Sequence, residues 1–122
     1  MARILVVDDE DSIRRLLKAV LERAGHEVTT ASDGFEAVRL VDAEPFDLVV
    51  TDLIMPEMEG IATIQQLRRL APDTKIIAMS GGGRGSAGDY LDLAKQLGAA
   101  MTLMKPFTPD GLLEAVAQTL NE

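Results

Sequence analysis

The sequence holds no cysteine, which excludes disulfides, thiolate metal sites and thiol catalysis. Aromatic side chains are nearly as scarce, with three Phe, one Tyr and no Trp among 122 residues. A core must therefore be built from Leu, Ile, Val, Ala and Met. No apolar run approaches the roughly 20 residues that a membrane-spanning helix needs. The opening MARILVVDDE runs straight into charge and carries no cleavable signal pattern, so a cytoplasmic protein is the default expectation. Basic residues are outnumbered, 12 Lys and Arg against 20 Asp and Glu, for a formal net charge of −8. That balance argues against direct nucleic-acid binding, which uses a basic surface, and against anionic membranes. The single histidine, His26, follows Gly25 and is expected at the surface without a catalytic role.

What is present is a regular alternation of short apolar runs with amphipathic stretches, on a scale that suits one domain. Arg3 to Asp8 reads as a first strand, with Asp8 and Asp9 at its carboxyl end. Asp11 is expected to cap a helix. Its apolar stripe, Ile13, Leu16, Leu17, Val20, Leu21 and Ala24, keeps helical spacing, and Gly25 is placed to end it in a left-handed turn. A short strand, Val28 to Ala31, precedes a capping pair, Asp33 and Glu36, that opens a helix to about Asp42. Leu48, Val49 and Val50 read as a strand buried on both faces. Asp52 ends that run, and Pro56 follows in a loop.

Ile61 to Leu70 is read as a helix and Lys75 to Ser80 as a fourth strand. The glycine-rich loop Gly81 to Gly85 precedes a helix over Ala87 to Leu97, closed by Gly98. Met101 to Met104 is a fifth strand, followed by Lys105-Pro106-Phe107. Thr108 as cap with Pro109 at the first helical position opens a last helix, with Leu112, Leu113, Val116 and Leu120 on its apolar face.

Five βα units in succession imply a parallel sheet covered on both faces. Right-handed crossovers bring every carboxyl strand end to one edge, the edge where ligands bind in open α/β sheets. Asp8, Asp9, Asp52, Ser80 and Lys105 all arrive there. Three crowded carboxylates repel one another, and a set of hard oxygen ligands points to Mg²⁺ or Mn²⁺. A solvated acidic rim without an ion is the plainer alternative, but Lys105 at the same edge favours a site for a phosphoryl group. Ser80 reads either as a helix cap or as a hydroxyl for a phosphoryl oxygen. The SGGGRG run reads as a flexible loop or as an anion-binding nest, and matches no Walker or dinucleotide fingerprint.

Four separated blocks, VVDDED, DLVVTDLIMPEMEG, the strand-ending Ser80 and LMKPF, resemble the receiver domain of two-component response regulators, either in its stand-alone, chemotaxis-regulator-like form or as a fragment of a longer regulator. The resemblance spans essentially residues 1–122, with no output domain visible. It implies a single-domain, flavodoxin-like (βα)5 fold with strand order 2-1-3-4-5. It also implies that Asp52 accepts a phosphoryl group from a histidine kinase or histidine phosphotransfer protein. By the same likeness, Asp9, Asp52 and the Ile54 backbone carbonyl hold Mg²⁺, Asp8 acts mostly through water, and Ser80 and Lys105 hold phosphoryl oxygens. The Lys105–Pro106 bond is cis in such domains. A receiver catalyses only its own phosphorylation and slow dephosphorylation, and its modified form switches binding to a downstream protein.

Three rival readings fit less well. A flavin protein of this fold needs a hydroxyl- and glycine-rich loop after the first strand, where this chain has Asp8, Asp9, Glu10 and Asp11. A metal-dependent phosphatase usually carries its nucleophile in a D-x-D arrangement there. A receiver-like docking module that is never phosphorylated has no need of the intact set of Asp9, Asp52, Ser80 and Lys105.

Two departures from the family pattern concern the switch. Thr102 stands where an aromatic residue is usual, and Gly81 opens a longer loop. Thr102 cannot sweep between exposed and buried positions as a ring can, while glycines lower the cost of moving a loop. A phosphoryl mimic is therefore expected to change hydrogen exchange chiefly over Gly81 to Asp89 and around Tyr90, an order–disorder change of one segment. Changes confined to Thr102 and the last helix would contradict that expectation.

Overall fold

The computed structural model describes residues 2–53, 60–81, 92 and 94–121. Short runs, rich in Val, Ile and Leu in β1, β3 and β4, form the strands β1 (Arg3–Val7), β2 (Glu27–Ala31), β3 (Leu48–Asp52), β4 (Lys75–Gly81) and β5 (Met101–Lys105). Longer stretches with helical apolar spacing form α1 (Asp11–Arg23), α2 (Gly34–Ala43), α3 (Gly60–Leu70) and α4 (Pro109–Leu120). Of the helix expected over Ala87 to Leu97, Asp92 and residues 94–96 are described as helical. Gly82 to Tyr90, and with them most of the expected glycine loop, lie outside the described residues. Among the described residues no helix is long and apolar enough to cross a membrane.

The strands form one sheet in the order β2-β1-β3-β4-β5, and each neighbouring pair is parallel. This is the flavodoxin-like arrangement. The pleat sends successive side chains to opposite faces, and the burial follows it. Leu5, Val7, Val49, Ile76 and Ala78 enter one core with Ala37 and Val41 of α2 and Ile64 and Leu67 of α3. Ile4, Val6, Leu48, Val50, Ile77 and Met79 enter the other with Leu17 and Leu21 of α1 and Leu112 and Val116 of α4. Each fully buried Leu, Ile or Val contributes about 1.5–3 kcal/mol, so two cores rather than one anchor the central strands.

Helix ends follow the sequence with one exception. Asp33 accepts the Glu36 N–H at 2.8 Å, and Glu36 reaches back to the Ser32 N–H at 2.7 Å. Thr108 Oγ1 accepts the Gly111 N–H at 2.9 Å, with Pro109 first in α4. Gly25 turns left-handed after α1 at φ 97°. Asp11, however, is not the cap of α1. Glu10 holds that position without a side-chain cap bond, because the Asp11 carboxylate is drawn to Arg14 and Arg15 at 3.1 and 3.0 Å. Leu16 also leaves the expected stripe: it is 53% exposed. The covered line runs through Leu17 and Leu21, and Leu16 stands over the groove between α1 and α4 beside Pro109 and Leu113.

Three strands run further than their apolar runs suggest. β3 includes Asp52, β4 runs to Gly81 and β5 to Lys105. Asp52 pairs with Met79, Ser80 with Met104 and Gly81 with Lys105. The polar residues at this edge are thus final rungs of the ladder, held by its hydrogen bonds. The Lys105–Pro106 bond is cis.

Gly60 secures the same edge. Its N–H donates to the Leu53 carbonyl at 2.8 Å, and α3 begins directly against the end of β3. A Cβ at Gly60 would fall 2.5 Å from the Asp52 carbonyl oxygen and 2.6 Å from the Leu53 carbonyl carbon, both backbone atoms. Gly60→Ala is expected to lower stability by about 1–3 kcal/mol, the usual cost of overpacking. Denaturant unfolding measures it, and a stability equal to the parent's would contradict the close approach.

Candidate functional site

The site begins where β1 ends. Asp8 follows Val7 directly, and its N–H still donates to Ala31 of β2 at 3.2 Å. The sheet therefore fixes the residue, which is 0% exposed. An ionised carboxylate so deeply placed needs partners on both oxygens. Oδ1 accepts the Glu10 N–H at 2.9 Å, and Oδ2 accepts from Lys105 Nζ at 2.8 Å. The same ammonium lies 3.7 Å from Asp52 Oδ2, so one cation from the end of β5 spans carboxylates from the ends of β1 and β3.

Asp9 is exposed, one residue further into the turn. Asp8, Asp9 and Asp52 each present a carboxylate oxygen, and these three atoms lie within 4.8 Å of one another. Lys105 supplies one positive charge against three negative ones. The oxygen-only donor set fits a hard divalent cation such as Mg²⁺ or Mn²⁺. Asp8 has protein partners on both oxygens, and Asp9 is the exposed member of the three. The expected contribution of the Ile54 carbonyl lies outside the described residues.

Lys105 is held charged. Burial works against the ammonium, but its hydrogen bond to Asp8 and the charges of Asp52, Asp8 and Glu10 outweigh it and raise its pKa above the ordinary lysine value. The stabilisation it provides is therefore complete through the neutral range. It would be lost only in strongly alkaline solution, as pH rises through the raised value.

Ser80 completes the edge from β4. Its hydroxyl is fully buried, and among the described residues it has no hydrogen-bond partner. Leaving a buried hydroxyl unpaired costs about 1–3 kcal/mol, so such an atom calls for a ligand or a structural reason. No cap role for Ser80 is found among the described residues.

Thr102 lies half-buried on β5, paired with Ala78. His26 lies at the opposite edge, where its Nδ1 accepts the Ala2 N–H at 3.2 Å. It serves the start of β1 and is half-buried rather than a free surface residue. The sequence reading overlooked Arg14. Its Nη1 donates to the Asp8 main-chain carbonyl at 2.7 Å, and its Nη2 to Asp11 Oδ1 at 3.1 Å. The signal available was an arginine one helical turn beyond the acidic run.

Removing Lys105 should expose how far Asp8 depends on it. Lys105→Met leaves a buried carboxylate without its cation, for an expected loss of about 3–5 kcal/mol. Adding Asp8→Asn removes the stranded charge and should return most of that loss. A double-mutant cycle of denaturant unfolding in chelator checks this; additive losses would mean the two residues do not interact.

Residues 4–117 match the family model of the response regulator receiver domain. The chain is 38% identical over 120 residues to the chemotaxis protein CheY of Bacillus subtilis, covering 98% of each. It is 42% identical over 112 residues to the probable transcriptional regulator ycf27 of Cyanophora paradoxa. It is 41% identical over 107 residues to the alkaline phosphatase synthesis transcriptional regulatory protein PhoP of Bacillus subtilis. Those alignments take in 90% and 88% of this chain but 44% and 43% of the regulators, so the chain spans less than half the length of either. Among solved structures, a receiver domain protein from Clostridium thermocellum superposes with a TM-score of 0.90 at 34% identity, over 99% of this chain and 95% of that one. A CheY-like receiver domain protein from Methanospirillum hungatei gives 0.91 at 31% identity, over 99% and 94%.

Proposed function

Since this chain belongs to the response regulator receiver domain family, the signalling domains of two-component systems, we propose that Asp52 is the residue on which it accepts the phosphoryl group. The observation that carries this reading is the Lys105 ammonium, 2.8 Å from Asp8 and 3.7 Å from Asp52. Asp8 fixes the ammonium in place, and Asp52 lies within its reach at the carboxyl edge of the central strand.

In the proposed reaction an Asp52 carboxylate oxygen attacks phosphorus in line with the departing nitrogen of a phosphohistidine. The new O–P bond forms as the P–N bond breaks, and the imidazole leaves with the partner. Lys105 donates hydrogen bonds to a phosphoryl oxygen, turning from Asp52 as the carboxylate charge passes to the phosphoryl group. Ser80, whose hydroxyl has no partner among the described residues, donates to another. Asp9 and Asp52, with Asp8 through water and the Ile54 backbone carbonyl by family likeness, would hold Mg²⁺ or Mn²⁺. When bound, that ion neutralises charge on the phosphoryl oxygens during transfer.

Residues 1–122 act in this reading as one receiver unit of the cytoplasm. It catalyses only its own phosphorylation and slow dephosphorylation. The donor is a histidine kinase or histidine phosphotransfer protein, and the modified form changes its grip on a downstream protein through Ser80 and the neighbourhood of Thr102.

Incubation with acetyl phosphate and Mg²⁺, followed by intact mass, tests the assignment. The parent should gain one phosphoryl group; chelator should prevent it, and Asp52→Asn should abolish it. Stoichiometric labelling of Asp52→Asn would overturn the choice of acceptor.

A further inference from the structure

We propose that Arg14 is a positioning residue that aims the Asp9 carboxylate at the divalent cation. This rests on the reading of the acidic cluster as a cation site within the proposed function. Asp9 is the exposed member of the cluster. Packing therefore cannot fix its direction, and the backbone on either side of it must.

Both flanking peptide groups are held. On one side, the Asp8 main-chain carbonyl accepts from Arg14 Nη1 at 2.7 Å. On the other, the Glu10 N–H donates to Asp8 Oδ1 at 2.9 Å. The first of these is a charge-assisted bond, shorter and stronger than one between neutral groups. The Arg14 side chain is 18% exposed, so it lies back over the turn rather than extending into solvent. Its other arm bonds Asp11 Oδ1 at 3.1 Å, which ties the turn to the first residue of α1. A planar fork can serve both acceptors together; a lysine ammonium presents no such fixed pair of donors. Groups that orient a metal ligand in this way, without touching the metal, typically carry 10–100-fold in affinity.

The sign of the effect separates positioning from simple charge. Arg14 adds a positive charge next to a cation site, and Coulomb repulsion alone predicts that its removal tightens Mg²⁺ binding. Positioning predicts the reverse. A purely structural role predicts lower thermal stability at unchanged affinity.

The test is a titration of the full chain with MgCl₂, followed by calorimetry and by amide NMR shifts of Asp9 and Glu10. The parent, Arg14→Ala and Arg14→Lys are compared, with thermal unfolding of each in chelator. Arg14→Ala is expected to weaken Mg²⁺ binding about tenfold, with the sheet amide spectrum retained, and Arg14→Lys to fall between it and the parent. Equal or tighter binding in the folded alanine variant overturns the proposal. Should the alanine variant not fold, the lysine variant decides alone: weaker binding supports the proposal, and parent-like binding overturns it. A parent that binds no Mg²⁺ also overturns it. A parent that binds Mg²⁺ but takes no phosphoryl group from acetyl phosphate overturns the proposed function and leaves the role of Arg14 standing.

Discussion

A carboxylate with no exposed surface needs hydrogen-bond and charge partners to offset its burial in an apolar sheet. Asp8 is such a group, and Lys105 is its charge partner. Much of the carboxyl edge can be understood from this pair. Asp8 must lie where β1 ends, because its N–H is still bonded to β2. Lys105 must be the last rung of β5, because its partner Gly81 ends β4. The pair then spans the middle of the sheet, and Asp52, at the end of the intervening β3, comes within reach of the same ammonium.

The sheet makes this economical. Its alternating side chains feed two separate cores, so β1, β3 and β4 are anchored from both faces and their ends have little freedom. A site built on such ends needs few additional supports. Those found are local: the Glu10 N–H on Asp8, the Arg14 fork on the turn and the glycine at the start of α3 that lets that helix approach β3.

The strands and most helices were legible in the sequence because apolar spacing is a local property. So were Asp8, Asp9, Asp52 and Lys105, since a charged residue directly after a buried run falls at a strand end, and parallel topology gathers strand ends on one edge. Arg14 was only faintly legible: an arginine one turn beyond the acidic run also suits a solvated helix face, and only the folded turn brings the Asp8 carbonyl to it. The misplaced cap at Asp11 has the same origin, because competition from Arg14 and Arg15 depends on side-chain direction. Leu16 fits the helical stripe by spacing, yet its exposure depends on how α4 packs alongside α1. That the Ser80 hydroxyl has no hydrogen-bond partner among the described residues is likewise a fact about its surroundings.

The place of β5 has a consequence for how the chain matures. In the sheet β1 and β3 lie side by side, whereas β5 pairs only with the outer edge of β4. Lys105 is 97 residues away from Asp8 along the chain. A nascent or partly assembled molecule that has paired β1, β3 and β4 therefore holds the carboxylates without their ammonium. Its cluster is electrostatically incomplete until the final strand docks. The complete set of charges at this edge thus belongs to the finished fold.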